Sequence, residues 1–191
     1  NKMERRKLIR NAAGLSMAGL IGTRMNMNST VPYTGARSEV SWIDGSQVDN
    51  WDDELAKRIA VLDEKGGGTL ELSDGVYEIS RTLRLLSSVS LVMTPNAVIK
   101  AKTNFEGDAV LIKCAGKPSD FSATGGWIRG GVIDGNKLPI TGIRVESIAR
   151  VEIADLVVKN ALYKGIHLLK GGFEKNLTRV RFDNDLKTRY A

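Results

Sequence analysis

Residues 127–185 read WIRGGVIDGNKLPITGIRVESIARVEIADLVVKNALYKGIHLLKGGFEKNLTRVRFDND, and this stretch decides the fold because it repeats itself. Positions of like character recur every 24 residues, in the columns Val132/Leu156/Val180, Asn136/Asn160/Asn184, Ile153/Leu177 and Val158/Phe182. A period of about 20–50 residues indicates units that must stack, because none can bury its apolar face alone. The units hold short β-branched runs and no helical periodicity. They therefore predict a solenoid of strands with one coil per repeat.

Alternation within each run predicts which side chains face the stack. In the run GIHL at 165–168, it places Ile166 and Leu168 inside and His167 outside. In the run RVRF at 179–182, it turns Arg179 and Arg181 outwards.

The turns between strands carry asparagine. The column Asn136, Asn160 and Asn184 predicts a ladder of stacked amides at coil turns, where residues tolerant of left-handed backbone are needed. Asp134 does not fit this pattern, because an inward Val132 would place it in the core. Either the strand ends one residue earlier or the carboxylate binds turn amides.

Composition narrows the class of protein. The 191 residues carry a formal net charge of +6, but residues 1–30 hold six of the 28 Lys and Arg and only one of the 22 Asp and Glu. The remainder is near neutral, which gives no case for a nucleic-acid partner. One cysteine, Cys114, excludes an internal disulfide, and no run approaches the ~18 apolar residues of a membrane span.

The N-terminus has the layout of an export signal. A basic cluster that contains Arg5 and Arg6 precedes an uncharged stretch, 11–22, rich in Ala, Gly, Leu and Met. The arginine pair resembles a bacterial twin-arginine signal, although Glu4 and Leu8 depart from its usual pattern. We expect an exported protein, periplasmic or extracellular, with a signal and the start of a linker over 1–30 and a polar linker over 31–50.

A short helix precedes the first coil. Asn50 or Asp49 can cap it, and Leu55, Ile59 and Leu62 form an apolar stripe on one face. A solenoid end exposes apolar surface and unpaired strand edges, so this helix is expected to cover it. Further strands are predicted at 69–72, 76–79, 83–85, 89–92, 97–100 and 107–112, followed by a loop at 113–126 that breaks the period.

Two segments resemble the pectate-lyase-like superfamily. Residues 51–80, WDDELAKRIAVLDEKGGGTLELSDGVYEIS, resemble its entry segment, and 130–136, GGVIDGN, resembles its GGxIDGNG element, with Lys137 in place of the last glycine. The resemblance covers about 51–185. It implies an all-β, right-handed, single-stranded parallel β-helix, a pectin-lyase-like solenoid with a short N-terminal capping α-helix. In these terms 51–68 are the capping helix and glycine turn, and 69–191 are coils.

The resemblance also implies a function: an exported carbohydrate-active enzyme that acts on a polysaccharide, with uronic-acid-containing chains among the candidate substrates. A polygalacturonase-like glycoside hydrolase is favoured over a polysaccharide lyase. A hydrolase needs two or three carboxylates beside a cleft, whereas a lyase needs a base and a cation. No cofactor is evident, and Ca²⁺ enters only if the protein is a lyase. No metal-binding constellation stands out, and the oligomeric state stays open.

Candidate site residues are few. Asp183 and Asp185, in RFDND, are the best carboxylate pair, and His167 is the single histidine. The outward cations that could line a groove for an anionic sugar are Arg144, Lys164, Arg179 and Arg181. Solvated turn residues and solubilising charges explain the same pattern, so the sequence alone does not decide whether the chain is an enzyme.

The alternative is a non-catalytic β-helix that binds glycans or serves as a surface scaffold. Its coils hold few exposed aromatic residues, Tyr163 and Trp127 being the candidates. The segment LKTRYA at 186–191 contains no capping element, so we expect the coils to be incomplete at this end. The catalytic coils would then lie beyond Ala191, or the chain would be an inactive truncated product.

Overall fold

The computed structural model describes residues 39–45, 48–86, 89–113, 124–146, 148, 150–169 and 174–184. The predicted export signal, Cys114, Asp185 and most of the predicted loop 113–126 lie outside these residues. The described part forms one α-helix and fifteen β-strands. In chain order these are β1 (Glu39–Ile43), α1 (Trp51–Glu64), β2 (Gly68–Leu72), β3 (Gly75–Ile79), β4 (Leu83–Leu86), β5 (Val89–Met93), β6 (Ala97–Ala101), β7 (Asp108–Lys113), β8 (Thr124–Arg129), β9 (Val132–Leu138), β10 (Thr141–Glu146), β11 (Arg150–Ala154), β12 (Val157–Ala161), β13 (Lys164–Leu169), β14 (Glu174–Thr178) and β15 (Arg181–Asp183).

The strands form three parallel sheets. Sheet 1 has the order β1-β2-β5-β8-β11-β14, sheet 2 the order β3-β6-β9-β12-β15, and sheet 3 the order β4-β7-β10-β13. Each coil contributes one strand to each sheet, so β2 to β13 make about four complete turns. The predicted parallel β-solenoid is confirmed.

Inward side chains form columns through the coils. In sheet 1, Leu70, Leu91, Ile128 and Ile153 are fully buried and stacked in register. In sheet 2, the equivalent column is Tyr77, Ile99, Ile133, Val158 and Phe182. Leu177 and Phe182 end these columns and are about half exposed, because no described strand pairs with the far side of β14 or β15.

The register of β9 corrects one predicted column. Val132 pairs with Val157 rather than with Leu156, and Ile133 is the residue that faces the core. The step from β9 to β12 is therefore one residue longer than the 24 residues that separate β12 from β15. A register shift after Asp134 then shortens the step, which is why the asparagines still recur at 24.

The glycines at the start of two sheet 3 strands make room for the core of sheet 2. A Cβ on Gly142 would lie 2.5 Å from a methyl group of Val158, and a Cβ on Gly165 would lie 2.4 Å from the ring of Phe182. Real Cβ atoms do not approach so closely, so the recurrence of glycine reflects core packing.

The predicted linker over 31–50 is wrong at residues 39–43, which form β1. This strand pairs with β2 in parallel, and Ile43 enters the core. The pairing satisfies backbone groups that would otherwise be left at the edge of β2. A local alternation of five residues among turn formers was too weak a signal to reveal the strand.

Helix α1 begins and packs as predicted. The Asn50 side chain caps it by accepting from the backbone N–H groups of Asp52 and Asp53. Leu55, Ile59 and Leu62 are buried. The helix contacts all three strands of the first complete coil, β2, β3 and β4, and so covers that end of the core.

One acid of α1 has a role beyond the helix. The Asp52 carboxylate is 8% exposed and accepts from the backbone N–H of Ser80 at 3.0 Å, from the Ser80 hydroxyl at 2.5 Å and from the backbone N–H of Arg81 at 3.3 Å. These three donors belong to the turn between β3 and β4. Asp52 therefore fastens the capping helix to the first coil.

Candidate functional site

The structure divides the predicted site residues between two surfaces. Arg144, Lys164 and His167 lie together on sheet 3. The arginines at 179 and 181 and Asp183 lie on the last described coil, at the turn between sheets 1 and 2 and on β15. Asp185 lies outside the described residues. Two separate settings must therefore be considered.

Asp183 continues a row of alternating charge on the outer face of sheet 2. The row consists of Glu78, Lys100, Asp134, Lys159 and Asp183, which are neighbours in register on successive strands. Lys100 contacts Glu78 at 3.3 Å, and Lys159 contacts Asp134 at 3.2 Å. Opposite charges on neighbouring strands stabilise a sheet. Asp183 thus has a lysine as its cross-strand neighbour, not a second carboxylate.

Arg179 is engaged in a contact between coils. Its guanidinium contacts both carboxylate oxygens of Asp155, one of them at 2.8 Å. These two residues occupy equivalent turns of successive coils, and both have positive φ, 51° and 55°. Hydrogen bonding to Arg179 holds the pKa of Asp155 below its usual value, and the same contact raises the pKa of Arg179. This pairing leaves Arg179 less available to a ligand than sequence alone indicated.

The turn asparagines form a hydrogen-bond pattern different from a simple amide ladder. Asn136 and Asn160 both have φ of 55°, the left-handed backbone expected at coil turns. However, the amide of Asn160 donates to the Asp134 carboxylate at 3.1 Å, while its own carbonyl oxygen is buried without a partner. The backbone N–H of Asn136 donates to the same carboxylate at 2.9 Å. Asp134 therefore binds turn amides, the second of the two possibilities raised by its position. Asn184 is exposed after β15.

The outer face of sheet 3 carries a mixed-charge cluster, which we call the sheet 3 cluster and define as Asp108, Arg144, Glu146, Lys164 and His167. Arg144 approaches Asp108 at 3.6 Å and Glu146 at 3.3 Å. The two carboxylates come from adjacent coils, on β7 and β10. All three side chains of this ion-paired group are partly shielded from solvent, with exposures between 18% and 35%. One guanidinium thus holds two half-shielded carboxylates together.

His167 lies next to Arg144 in the same cluster. The two residues are cross-strand neighbours between β10 and β13, and Lys164 Nζ lies 3.1 Å from His167 Nε2. An ammonium group can only donate, so this contact requires Nε2 to be an acceptor and assigns the ring proton to Nδ1. Lys164 also lies over the ring of the exposed Tyr163, 4.9 Å from its centroid. A ligand here would meet a ring N–H, two cations and an aromatic edge.

A polar pocket of about 350 Å³ adjoins the first strand of sheet 3. It is lined by Ser80, Arg81, Thr82, Arg84, Asn104 and Glu106. Arg84 belongs to the same register row as Arg144 and His167, with Leu111 between them. The pocket volume is within the ~300–1,000 Å³ of small-molecule sites. Hydrogen-bonding groups therefore extend along sheet 3 over several coils.

Sequence reasoning missed both carboxylates of the sheet 3 cluster. Thr141-Gly-Ile-Arg-Val-Glu alternates, so it places Arg144 and Glu146 on one face of β10, and this signal was available. Asp108 could not be added by counting, because Arg144 pairs with Leu111 across an irregular step that contains residues 114–123. The register across that segment is a property of the folded chain.

Two further searches cover the described residues. No helix in the described ranges is long and apolar enough to span a membrane. Within the same ranges, no three His, Cys, Asp or Glu side chains gather where a metal ion could be held.

The three parallel sheets define the class of protein, a parallel β-solenoid with a helix over its first coil. Comparison with family models and with curated proteins gives no match. Among solved structures, the chain is similar to one described as "a putative glycosyl hydrolase" from Parabacteroides merdae, with a TM-score of 0.52 and 17% sequence identity. The similarity covers 76% of this chain and 73% of the other. At this identity the likeness concerns the fold.

Proposed function

We propose that this chain belongs to a carbohydrate-active protein that holds a polysaccharide against the outer face of sheet 3. The observation that carries the proposal is the convergence of Asp108 and Glu146, from different coils, on Arg144. The similarity to a solenoid described as a glycosyl hydrolase supports it.

Glycoside hydrolysis is the reaction this arrangement favours. Glycosidases use two carboxyl groups about 5–9.5 Å apart, one as general acid and the other as nucleophile or base. Asp108 and Glu146 both contact the terminal nitrogens of one guanidinium, so their nearest oxygens can be separated by no more than that group and two contacts. Their spacing is of the order that the reaction needs.

The neighbouring side chains suit a sugar ligand. Sugar hydroxyls both donate and accept hydrogen bonds, and the sheet 3 cluster offers carboxylates as acceptors with Arg144, Lys164 and the His167 ring as donors. In the free protein Arg144 balances the charge of the two carboxylates. A sugar that draws Arg144 towards one of them would leave the other free to act on the glycosidic bond.

The test is a reducing-end assay on a panel of neutral and uronic-acid-containing polysaccharides, with wild type, Asp108→Asn, Glu146→Gln and Asp183→Asn. General acid–base catalysis contributes about 10²–10⁴ in rate. Each of the first two substitutions is therefore expected to lower the rate by about 100-fold or more. Asp183→Asn, on the exposed charge row of sheet 2, is the matched control and should stay within about twofold.

The outcomes separate the possible reactions. Reducing ends that form without absorbance from unsaturated uronates identify a hydrolase, whereas both signals together identify a lyase. If Asp183→Asn abolishes the rate while Asp108→Asn and Glu146→Gln retain it, the site is on sheet 2 and the assignment to sheet 3 is wrong. Circular dichroism of each variant shows that the fold is retained.

A second candidate is glycan binding without hydrolysis. It is favoured by the fact that both carboxylates already have an ion-pair partner, as in a structural network. It predicts that the panel yields no reducing ends, while a polysaccharide still retards the protein in affinity electrophoresis. Arg144→Gln should then weaken the retardation.

Export belongs to the same proposal, because polysaccharides are met outside the cytoplasm. It is supported by the basic and uncharged segments at 1–22. Fractionation of bacterial cells expressing the chain tests it. Replacement of Arg5 and Arg6 by lysine should retain the protein in the cytoplasm, and an unchanged distribution would contradict the twin-arginine route.

A further inference from the structure

A second concave surface lies between α1 and β1. This groove has a volume of about 490 Å³ and is lined mainly by Val40 and Trp42 of β1 and by Lys57, Arg58, Val61 and Lys65 of α1. None of these residues belongs to the sheet 3 cluster or to the pocket beside it.

The alternation of β1 explains why an indole is presented here. Ser41 and Ile43 are paired with the inward residues of β2, so Val40 and Trp42 face outwards. The side chains of Val40 and Trp42 are 55% and 57% exposed. A tryptophan exposed to this degree costs apolar hydration that a core position would avoid. Beside a groove, it provides a flat surface for a ligand.

The helix supplies the opposite wall and the charge. Lys57, Val61 and Lys65 are four residues apart and therefore follow one another along one side of α1. Arg58 is held in place, since its Nε contacts Glu54 at 2.7 Å and its Nη1 donates to the Ser41 hydroxyl. The lining contains three cations.

No carboxylate is among the described residues that line the groove. Glu54 offsets the charge of Arg58, and Glu71 lies beside Trp42 on sheet 1 without lining the groove. A net positive charge therefore remains on the α1 wall.

We propose that this groove binds a pyranose ring that carries an anionic group. The indole of Trp42 packs against the apolar C–H face of the ring, and the cations of α1 bind its carboxylate or sulfate. The combination of one exposed aromatic face with cations distinguishes this ligand from a neutral sugar and from a simple anion. The site is independent of the sheet 3 cluster, so either proposal can fail alone.

The experiment is a calorimetric titration of the full chain with three trisaccharides of equal length: one carboxylated, one sulfated and one neutral. Each is measured at about 50 mM and about 500 mM salt, because exposed charges are screened at the higher value. The variants are Trp42→Ala, Trp42→Phe and the double substitution Lys57→Gln/Lys65→Gln. Val76→Ala, which removes an apolar side chain of similar exposure from sheet 2, is the control.

We expect Trp42→Ala to weaken binding of an anionic trisaccharide by about tenfold, the effect of losing one aromatic contact. Trp42→Phe, which keeps a ring, should stay within about threefold of wild type, and Val76→Ala should have no effect. The double lysine variant should weaken the anionic ligands and remove their salt dependence. Whichever of the carboxylated and sulfated trisaccharides binds more tightly identifies the anionic group.

Two results would overturn the proposal. One is equal affinity for the neutral and the anionic trisaccharides, and the other is a Trp42→Ala variant that binds like wild type. Arg144→Gln keeps the two sites apart: it should leave the Trp42-dependent component intact while it weakens any binding on sheet 3.

Discussion

Two adjacent aspartates in the first turn of α1 allow a sharp test of how the helix is fastened to the solenoid. Replacement of Asp52 by alanine removes the acceptor for the backbone N–H groups of Ser80 and Arg81 and for the Ser80 hydroxyl. Replacement of Asp53 removes an exposed contact with Arg81 at 2.5 Å. Both substitutions take the same charge from the same helix end, so their effect on the helix dipole is shared.

The expected magnitudes differ because the two carboxylates differ in burial. Hydrogen bonds to a charged group contribute about 1.5–3 kcal/mol each, and the donors left behind in Asp52→Ala are partly buried. With some rehydration of the turn, we expect a loss of about 3 kcal/mol, or about 6–12 °C in Tm for a chain of this size. Asp53→Ala should cost about 0–1 kcal/mol, as exposed ion pairs do.

Urea denaturation followed by far-UV circular dichroism measures both. The midpoint should fall for Asp52→Ala with an unchanged slope, which reports lost stability rather than a changed unfolded state. Asp52→Asn keeps one acceptor oxygen and should lie between Asp52→Ala and wild type. Equal losses in Asp52→Ala and Asp53→Ala would refute the reasoning, because they would show that only the helix dipole is affected.

Two further predictions concern the core and its turns. The Tyr77 hydroxyl is buried and donates to the Ser73 carbonyl at 2.9 Å, so Tyr77→Phe should cost about 1 kcal/mol in a urea titration at pH 7. Burial raises the pKa of Tyr77 above 10.0; wild type should therefore be fully stabilised by the neutral phenol below about pH 10 and lose this contribution as pH rises further, whereas Tyr77→Phe should lack this loss. Gly130 has φ of 75°, and a Cβ there would lie 2.1 Å from the Met93 carbonyl oxygen, so Gly130→Ala should cost clearly more than the strain of about 1 kcal/mol expected at Gly66, which has φ of 89° and open space around it. Similar thermal midpoints for these two glycine variants would contradict the close approach of the coils at Gly130.

Local patterns were sufficient for most of the fold. The apolar stripe of α1, its cap at Asn50 and the strand alternation depend on residues close together in sequence, and each has its predicted place. The repeat also predicted that coils stack in parallel, since inward residues such as Ile153 and Val158 have nothing else to pack against. The exceptions are β1, which is too short to stand out, and Val132, whose column shifts by one residue.

The candidate site was less accessible to this reasoning. Arg144, Lys164 and His167 were identified as outward residues, and the structure brings them together because β10 and β13 are neighbours. Asp183 and Arg179 were identified on the same grounds, yet they occupy a charge row and a contact between turns. Outward position is a local property, whereas the neighbour across the sheet depends on register.

The sequence by itself therefore determined that this chain is a stack of strands with a capping helix, because period and alternation are written into every coil. Only the tertiary structure decided which coils meet at each point. The step from Leu91 to Ile128 spans 37 residues, against 24 or 25 in the later coils of the same sheet, and no local pattern fixes it. That irregular step brings Asp108 to Arg144 and Glu146, because parallel strands align through their inward side chains rather than through their distance along the chain.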